Sequence, residues 1–339
     1  MPHFAIVGAT GAVGALLRRV LQERQLPVES IKFLASARSA GQSLEFAGKT
    51  YQVEVLKPEA FQGVDIVLSS TPASVSKEWS PIAAKAGAYV IDNSSAWRMD
   101  PDVPLVVPEV NAHHLKRIPK RIIANPNCST IQMVVALKPL HDIAKIKRVV
   151  VATYQASSGK GATGLFDLDA QIQALGQGKP VPAPTAHMER LAGNVIAHDW
   201  KLGDGGYSEE EIKMIRETKK IMGDESILVA PTTVRVPVRT GHSEAINLEF
   251  HSPISLEQAR AALSKAPGVV LLDGYAPGQV PTPLSAEDKD EVFVGRLRQD
   301  PTVPHGLQLW VVADNLRKGA ATNAVQIAQE LIKQGIVKS

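Results

Sequence analysis

The sequence is short of the features that mark secreted, membrane-embedded or nucleic-acid-binding proteins. It has one cysteine in 339 residues, which cannot form an intrachain disulfide, so we expect a reducing compartment, the cytoplasm. No apolar run approaches the roughly 18 residues of a membrane span. Charge is nearly balanced, with 37 Lys+Arg against 34 Asp+Glu, and there is no basic block to follow a nucleic-acid backbone. We therefore expect no membrane and no nucleic-acid partner, while anionic small molecules stay open as ligands.

The composition is that of an ordinary globular protein. Hydrophobic residues make up 44% and charged residues 21% of the chain, which excludes disorder, collagen and coiled coil as the main architecture. At roughly 100–200 residues per domain, the length predicts two domains. The first residues lack a basic segment and lead straight into glycines, so we interpret them as a strand and not as a signal peptide.

The first third of the chain alternates short apolar runs with helical patterns. Strands are predicted at residues 4–7, 31–35, 65–69 and 89–91, and helices at residues 12–23 and 74–86. Strand–helix–strand alternation predicts an α/β domain with a doubly wound, mostly parallel sheet that carries helices on both faces.

After residue 127 the pattern changes. A helix is predicted at residues 129–141, and longer strand-like runs follow at residues 149–154, 227–238, 245–251, 291–297 and 307–313. Two helices, at residues 165–175 and 209–221, interrupt these strands, and the prolines of residues 180–184 indicate a connector. A last helix, residues 316–335, is expected to return to the first domain. We predict a Rossmann-type domain over residues 1–127 plus about 315–339, and an α+β domain with a mixed sheet over residues 128–314.

A glycine-rich loop joins the first strand to the first helix. Its G-x-x-G-x-x-G pattern lets the backbone turn tightly and approach a pyrophosphate that rests on the helix N-terminus. A plain turn is the alternative, but the position between strand and helix favours dinucleotide binding. The residues expected to contact the cofactor are Gly8, Thr10, Gly11, Ala12, Val13 and Gly14.

The end of the second strand indicates which dinucleotide is bound. NAD sites usually place an acid there to hold the ribose 2′-hydroxyl, whereas this chain continues with Ser36, Ala37, Arg38 and Ser39. An arginine between two hydroxyl side chains suits a 2′-phosphate, so we predict NADP, with Ser36, Arg38 and Ser39 as ligands. A solvated loop arginine is the alternative.

The single cysteine, Cys128, follows Asn125-Pro126-Asn127 and precedes an apolar helix. Pro126 keeps the preceding residue extended and Asn127 is a good N-cap, so Cys128 falls in the first helical turn, where free amides and the helix dipole favour a thiolate. A buried structural cysteine is the alternative, but a flank of polar residues is a poor environment for burial. We predict a nucleophile that forms a thioester with an aldehyde or acyl substrate.

Several spaced motifs resemble those of bacterial aspartate-semialdehyde dehydrogenases. Besides the glycine loop and the cysteine motif, they include Asn-Ser-Ser-Ala-Trp-Arg-Met-Asp at residues 93–100, Thr-Tyr-Gln-Ala-Ser-Ser-Gly-Lys-Gly at 153–161, and segments at 36–41, 106–111, 209–221, 235–242 and 314–321. Together they cover nearly the whole chain in the family's order. The resemblance implies NADPH-dependent reductive dephosphorylation of 4-phospho-L-aspartate to L-aspartate 4-semialdehyde, which feeds lysine, threonine, methionine and diaminopimelate synthesis. It also implies that the second domain carries catalysis and homodimerisation, with a tetramer as a further assembly.

The resemblance also implies roles for individual side chains. Cys128 would form the acyl-enzyme, His242 would be the acid/base, and Gln155 would orient the substrate. The substrate ligands would be Arg235 for the α-carboxylate, Glu210 for the ammonium, and Lys213 and Arg98 for phosphate. Ser158 and Gly159 would line the nicotinamide, Asn315 would touch the cofactor, and no metal is expected.

Each of these roles has a structural alternative. Ser208 and Glu211 form a capping box, so Glu210 and Lys213 could belong to a capped surface helix. Arg235 could lie on the solvated face of a strand, Gln155 in a strand-end turn, and Arg98 beside Asp100 or Asp102. Most other histidines are expected at the surface or in packing, among them His113, His114, His187 and His198.

Other functions stay open at this point. N-acetyl-glutamyl-phosphate reductase has similar chemistry, but a Gly-Cys-Tyr type motif is expected there in place of Asn127-Cys128-Ser129. A glycolytic, NAD-dependent aldehyde dehydrogenase would carry an acid after the second strand. A non-catalytic NADP-binding dimeric scaffold would have lost the cysteine or the histidine, and a cysteine hydrolase would leave the glycine loop unexplained.

Replacing Arg38 by alanine should weaken binding of NADP but not of NAD, because only the 2′-phosphate distinguishes the two cofactors and arginine is suited to hold it. Isothermal titration of the variant with each cofactor checks this. Equal losses for the two would show that Arg38 does not recognise the phosphate.

Overall fold

The computed structural model describes residues 1–338. Within these residues the strands are β1 His3–Val7, β2 Ser30–Ala35, β3 Ser43–Phe46, β4 Lys49–Gln52, β5 Glu54–Val55, β6 Ile66–Ser69, β7 Tyr89–Asp92, β8 Ile122–Ala124, β9 Ile146–Gln155, β10 Leu228–Arg235, β11 His242–Phe250, β12 Val269–Leu271, β13 Val292–Asp300 and β14 Gly306–Ala313. The α-helices are α1 Ala12–Glu23, α2 Ala73–Lys85, α3 Pro108–Asn111, α4 Cys128–Ala144, α5 Gly161–Gly176, α6 Glu209–Met222, α7 Leu256–Lys265, α8 Pro283–Ala286 and α9 Thr322–Lys333. None of these helices is long and apolar enough to cross a bilayer.

The chain divides into two compact units. The N-terminal unit comprises residues 1–127 and 320–338, and the C-terminal unit comprises Cys128–Gly319. The last helix predicted from the sequence is two elements, a π-helix at Arg317–Ala321 followed by α9. The boundary between the units falls inside that π-helix.

The N-terminal unit is built on a parallel sheet with the strand order β5-β2-β1-β6-β7-β8. The order reverses between β1 and β6, and in such sheets ligands bind at the carboxyl ends of the strands on either side of the reversal. The predicted doubly wound parallel sheet is therefore confirmed. Helices α1 and α9 share one apolar core with β1, and this core includes Leu17, Val20, Val325 and Ala328.

A small hairpin, β3–β4, was not predicted. It carries Phe46 and Tyr51, whose rings meet Phe33 of β2 edge to face at 6.2 and 5.5 Å. Only alternate residues of these short strands are apolar and the rest face water, so the segment resembles a loop in the sequence.

The C-terminal unit contains a mixed sheet with the order β10-β9-β11-β14-β13-β12. Its outer pairs are parallel and its inner pairs antiparallel, which confirms the mixed sheet expected there. Helix α4 packs against four of these strands, and α6 and α7 pack on the flanks. Helix α7 was missed, because its buried stripe is thin, with Ala259 and Leu263 as its buried residues.

One carboxyl group lies deep in the core of this unit. Glu244 of β11 is fully buried, and neither of its oxygens has a hydrogen-bond partner among the described residues. It lies opposite Thr153 of β9, and the Gln132 side chain of α4 lies against it. Burial raises the pKa of Glu244 well above its ordinary value, so the folded protein holds this group as a neutral acid.

Replacing Glu244 by glutamine should stabilise the protein increasingly as pH rises. The folded state keeps the Glu244 proton, whereas the unfolded chain releases it above its ordinary pKa of 4.5. Above about pH 5 the wild type therefore loses up to about 1.4 kcal/mol per pH unit for as long as the folded protein keeps this proton, and the neutral amide does not. Urea unfolding at fixed protein concentration between about pH 5 and pH 8 measures the difference.

Glu249→Gln is the matched control, because Glu249 lies on the same strand and pairs with Lys147 at 2.6 Å near the surface. Its unfolding free energy should follow the wild type across the range. A constant difference between Glu244→Gln and the wild type at every pH would contradict the buried neutral acid.

Candidate active site

The glycine loop lies at the carboxyl end of β1, beside the reversal of strand order. A Cβ atom on Gly8, which has a φ of 80°, would lie 2.3 Å from the Ser70 carbonyl oxygen, and one on Gly14 would lie 2.3 Å from the Gly8 carbonyl oxygen. Both glycines are therefore required by close backbone packing. Helix α1 starts with Gly11 as its N-cap, without a side-chain cap and without an acid in its first turn. Its first amides are thus left to an external anion, which fits a pyrophosphate.

Arg38 follows β2 in a short 3₁₀ turn at the same edge of the sheet. Ser36 and Arg38 are exposed and Ser39 is half-buried. The first turn of this segment contains no acid. The group of residues therefore fits a phosphate on the ribose better than a bare 2′-hydroxyl.

Arg98 is buried in the N-terminal unit. Its Nε donates to the Asn125 carbonyl oxygen at 3.0 Å, and its Nη2 donates to the Asn93 carbonyl oxygen at 2.9 Å. Two backbone carbonyls therefore fix the direction of the guanidinium. Asp100 binds Lys120, with 2.6 Å between the carboxylate and Nζ.

Cys128 is the first residue of α4 and is half-buried. The first turn carries no acidic side chain, so the positive end of the helix dipole acts on the sulfur unopposed. Gly319 lies against it, since a Cβ there would come 2.7 Å from the Cys128 Cβ. The expectation that the polar flank is unsuited to burial is wrong, because its side chains are buried, namely Asn125, Asn127, Ser129 and Thr130. Asn125 Nδ2 donates to Asn93 Oδ1 at 3.0 Å and Ser129 Oγ accepts from Gln155 at 2.9 Å.

Gln155 and Glu210 meet beside this helix N-terminus. The Gln155 amide, at the end of β9, donates to Ser129 Oγ at 2.9 Å and to Glu210 Oε1 at 3.3 Å. Glu210 is 3% exposed and also accepts from Lys213 Nζ at 3.2 Å. The capping box predicted for Ser208 and Glu211 is confirmed. Glu210 is thus directed inward and is not part of the cap.

His242 is fully buried at the start of β11. The Ala156 amide donates to its Nδ1 at 3.0 Å, so the ring proton is on Nε2, and Nε2 has no partner among the described residues. Burial, and then the charge of Arg235, lower the pKa of His242 well below its ordinary value. The ring is therefore neutral, with an N–H available to another molecule.

Arg235, at the end of β10, is 1% exposed, so a place on a solvated strand face is wrong. Its Nε donates to Asp199 Oδ2 at 3.1 Å and its Nη1 donates to the Ala156 carbonyl oxygen at 2.6 Å. The Trp200 ring lies under the guanidinium at 4.7 Å. The two hydrogen bonds occupy the Nε–H and one N–H of Nη1, so the other donors of the guanidinium are left to a ligand.

Gly159 leaves space in front of both side chains. A Cβ at this position would lie 2.9 Å from Arg235 Nη1 and 3.5 Å from His242 Nε2. The neighbouring Ser158 donates to Asn315 Oδ1 at 3.0 Å, and the same oxygen accepts from the Gly241 amide. Asn315 therefore ties the Ser158 loop to the segment before His242.

The C-terminal unit contains most of the predicted catalytic and substrate residues and three of the predicted cofactor residues. The first group is Cys128, Gln155, Glu210, Lys213, Arg235 and His242, and the second is Ser158, Gly159 and Asn315. The glycine loop, Ser36, Arg38, Ser39 and Arg98 belong to the N-terminal unit.

Two residues of this site escaped the sequence analysis. Asp199 lies in an irregular segment that has no periodic pattern, and His187 was expected to be a surface or packing histidine. His187 is in fact buried and donates from Nδ1 to Asp199 at 2.9 Å. Nothing in their sequence neighbourhood signals this pairing, because it is formed only through tertiary contacts.

Comparison with known proteins agrees with this architecture. Residues 3–118 match the family described as semialdehyde dehydrogenase, NAD binding domain, and residues 137–318 match semialdehyde dehydrogenase, dimerisation domain. The aspartate-semialdehyde dehydrogenase of Aquifex aeolicus is 55% identical and that of Bacillus subtilis 46% identical; the matches cover 98% and 99%, respectively, of both chains.

Solved structures give the same result. Aspartate-semialdehyde dehydrogenase II of Vibrio cholerae, solved in complex with ASA, superposes with a TM-score of 0.94 at 47% identity over 98% of both chains. The Candida albicans enzyme with NADP superposes with a TM-score of 0.78 at 26% identity, over 99% of this chain and 100% of the other. The chain therefore belongs to the aspartate-semialdehyde dehydrogenase family and is an NADP-dependent oxidoreductase that acts on an aldehyde group.

Proposed function

We propose that the chain catalyses the reversible, NADPH-dependent reductive dephosphorylation of 4-phospho-L-aspartate to L-aspartate 4-semialdehyde, in amino-acid biosynthesis. The observation that carries this proposal is the hydrogen-bonded series from Ser129, beside the thiol, through Gln155 to Glu210. It places an anion for an ammonium group next to the nucleophile. The relatives that carry this name match the chain over nearly its whole length.

NADP is held by the N-terminal unit. The first-turn amides of α1, with Gly8, Thr10, Gly11, Ala12, Val13 and Gly14, receive the pyrophosphate, and Ser36, Arg38 and Ser39 receive the 2′-phosphate. Ser158 and Gly159 line the nicotinamide, and Asn315 holds Ser158 in place. When bound, NADPH supplies the hydride that reduces the thioester to the aldehyde.

Cys128 provides the nucleophile. Its thiolate attacks the acyl-phosphate carbonyl, the C–O bond to phosphate breaks, and a thioester to Cys128 remains. The helix dipole of α4 stabilises the thiolate before attack, and amides of the first turn of α4 are suited to stabilise the carbonyl oxygen as it becomes negative.

The resemblance implies an acid/base role for His242, but its hydrogen bond from the Ala156 amide favours a different one, that of a neutral hydrogen-bond donor. Because Nδ1 accepts from Ala156, the ring can take a second proton only by giving up that bond. Its depressed pKa disfavours the same step. The Nε2–H therefore stabilises the oxyanion of the tetrahedral intermediates, while the helix N-terminus, and not His242, keeps the thiol ionised.

The substrate carries three charged groups, and the site offers a side chain for each. Arg235 binds the α-carboxylate through its remaining donors, and Glu210 binds the ammonium. Lys213, whose side chain is 30% exposed, binds the phosphate, and the resemblance assigns the same partner to Arg98. An N-acetylated substrate has no ammonium for the buried Glu210, so N-acetyl-glutamyl-phosphate reductase is not favoured.

The assembly we propose is a homodimer formed through the C-terminal unit, in the cytoplasm. The face of the mixed sheet that carries Tyr154, Trp310 and Leu228 has apolar side chains at its surface, and the Tyr154 and Trp310 rings lie 5.5 Å apart. The match of this unit to a dimerisation domain supports the dimer. Sedimentation at several protein concentrations distinguishes it from a tetramer of two dimers.

Replacing Cys128 by alanine should lower phosphate-dependent oxidation of the aldehyde by more than about a hundredfold, because the covalent route is lost. NADP affinity should stay near that of the wild type, since Cys128 is not among the cofactor ligands. Initial rates and a titration with NADP measure the two quantities. Turnover above a hundredth of wild type would rule out the thioester mechanism.

Glu210→Gln and Lys213→Ala should have different kinetic effects. The first should raise KM for the aldehyde by removing the partner of its ammonium, and the second should chiefly raise KM for phosphate. Each loss is expected on the order of 1.5–3 kcal/mol, the range for hydrogen bonds to charged groups. Arg98→Ala should resemble Lys213→Ala. Steady-state kinetics with aldehyde and phosphate varied separately checks all three.

The same helix supplies matched controls. Glu209 lies in the same first turn as Glu210 but is exposed, and Arg216 is an exposed cation one turn further along. Glu209→Gln and Arg216→Ala should leave both KM values unchanged. If the variants at residues 210 and 213 also changed only the melting temperature, this segment would be a capped surface helix and no more.

A further inference from the structure

We propose that Asp199 and His187 are positioning residues for Arg235, and that through it they set the preference of the enzyme for aldehydes that carry an α-carboxylate. This inference rests on the proposed role of Arg235 in binding that carboxylate. Neither residue has been given a role in the proposed reaction, and both lie in an irregular segment between α5 and α6.

The Asp199 carboxylate is the centre of a buried network. Its Oδ2 accepts from Arg235 Nε at 3.1 Å and from His187 Nδ1 at 2.9 Å, and its Oδ1 accepts from the Met188 amide at 3.1 Å. Lys160 Nζ lies 3.4 Å from Oδ2 and also donates to the Asp199 carbonyl oxygen at 2.6 Å. Burial alone would raise the pKa of Asp199, but these donors and charges hold it well below its ordinary value.

His187 holds this network from its second ring nitrogen. Its Nδ1 lies 2.9 Å from Asp199 Oδ2 and its Nε2 lies 2.8 Å from Ser157 Oγ, which donates to the Gly164 carbonyl oxygen at 2.6 Å. The imidazole is therefore fixed between two buried partners. Arg235 and Lys160 both lie against the one Asp199 carboxylate, and this surplus of positive charge favours an anionic ligand.

The network fixes the orientation of the Arg235 guanidinium. Asp199 holds the Nε side of Arg235, the Ala156 carbonyl holds Nη1, and Trp200 covers one face of the guanidinium. The donors that remain for a ligand are the second N–H of Nη1 and those of Nη2, and Gly159 leaves space beside them, since a Cβ there would lie 2.9 Å from Nη1. A guanidinium held in this way can meet a carboxylate in one orientation without first losing side-chain freedom.

Asp199 also binds the Met188 amide of its own irregular segment. The experiment must therefore distinguish a role in the stability of this segment from a role in the orientation of Arg235. Asp167 of α5 offers the matched control. It is buried and accepts from the Thr185 and Ala186 amides at 2.6 and 2.7 Å, just before His187, and no contact joins it to Arg235 in the described residues. Asp167→Asn loosens the same segment without touching the guanidinium.

The test compares two aldehydes that differ in one group. L-Aspartate 4-semialdehyde carries the α-carboxylate and 3-aminopropanal lacks it, while both carry the ammonium and the reacting aldehyde. The quantity measured is the ratio of their kcat/KM values with NADP and phosphate. In Asp199→Asn this ratio should fall by on the order of tenfold or more, through a higher KM for the carboxylate-bearing aldehyde, with 3-aminopropanal turned over at near the wild-type rate.

His187→Asn serves as a second variant in case Asp199→Asn does not fold, and its ratio should fall in the same direction. Asp167→Asn should lower the melting temperature and keep the wild-type ratio. An unchanged ratio in both network variants, or an equal fall in Asp167→Asn, would overturn the inference. If the wild type itself did not distinguish the two aldehydes, the proposed role of Arg235 would fail instead.

Discussion

The C-terminal unit is organised around a guanidinium that has almost no contact with water. A buried charge is costly unless it is paired and hydrogen-bonded, and Arg235 has an acid, a carbonyl and an aromatic face to compensate it. One residue of this arrangement, Ala156, also contacts the histidine. The Ala156 carbonyl binds Arg235, and the Ala156 amide binds His242 Nδ1. The direction of the Arg235 guanidinium and the position of the His242 ring proton therefore depend on the same residue of the backbone.

Three buried glutamates of the C-terminal unit differ in their partners and in their charge. Glu210 is directed inward, next to Gln155, while its neighbour Glu211 caps the helix and binds the Thr233 amide. In the proposed function, two adjacent glutamates of one helical turn thus have separate roles: Glu210 binds the ligand and Glu211 caps the helix. Glu244 shows the opposite case, a carboxyl group without an ionic partner in the described residues, which stays neutral because burial raises its pKa. It lies two residues after His242 on the same strand.

Much of this could be predicted from the sequence, because periodic patterns and helix ends are local. The apolar runs indicated the parallel sheet, Ser208 and Glu211 indicated a capping box, and Asn127 indicated the helix start at Cys128. The rest depends on tertiary contacts. Asp199 and His187 lie in a segment without periodicity, and the burial of Asn125 and Ser129 reverses what polar residues indicate by composition alone. The roles of Gln155, Glu210 and Arg235 came from the family resemblance, and the structure adds the contacts that distinguish them from surface residues.

The central claim is that the acyl group is carried on Cys128, and intact-protein mass spectrometry tests it most directly. The enzyme is mixed with 4-phospho-L-aspartate in the absence of NADPH, quenched in acid and analysed, with the Cys128→Ala variant treated in parallel. The account predicts a mass increase of one aspartyl group in the wild type, located on Cys128 by peptide mapping, and none in the variant. An adduct that persists in the variant, or a wild type that turns over substrate but never acquires one, would contradict it.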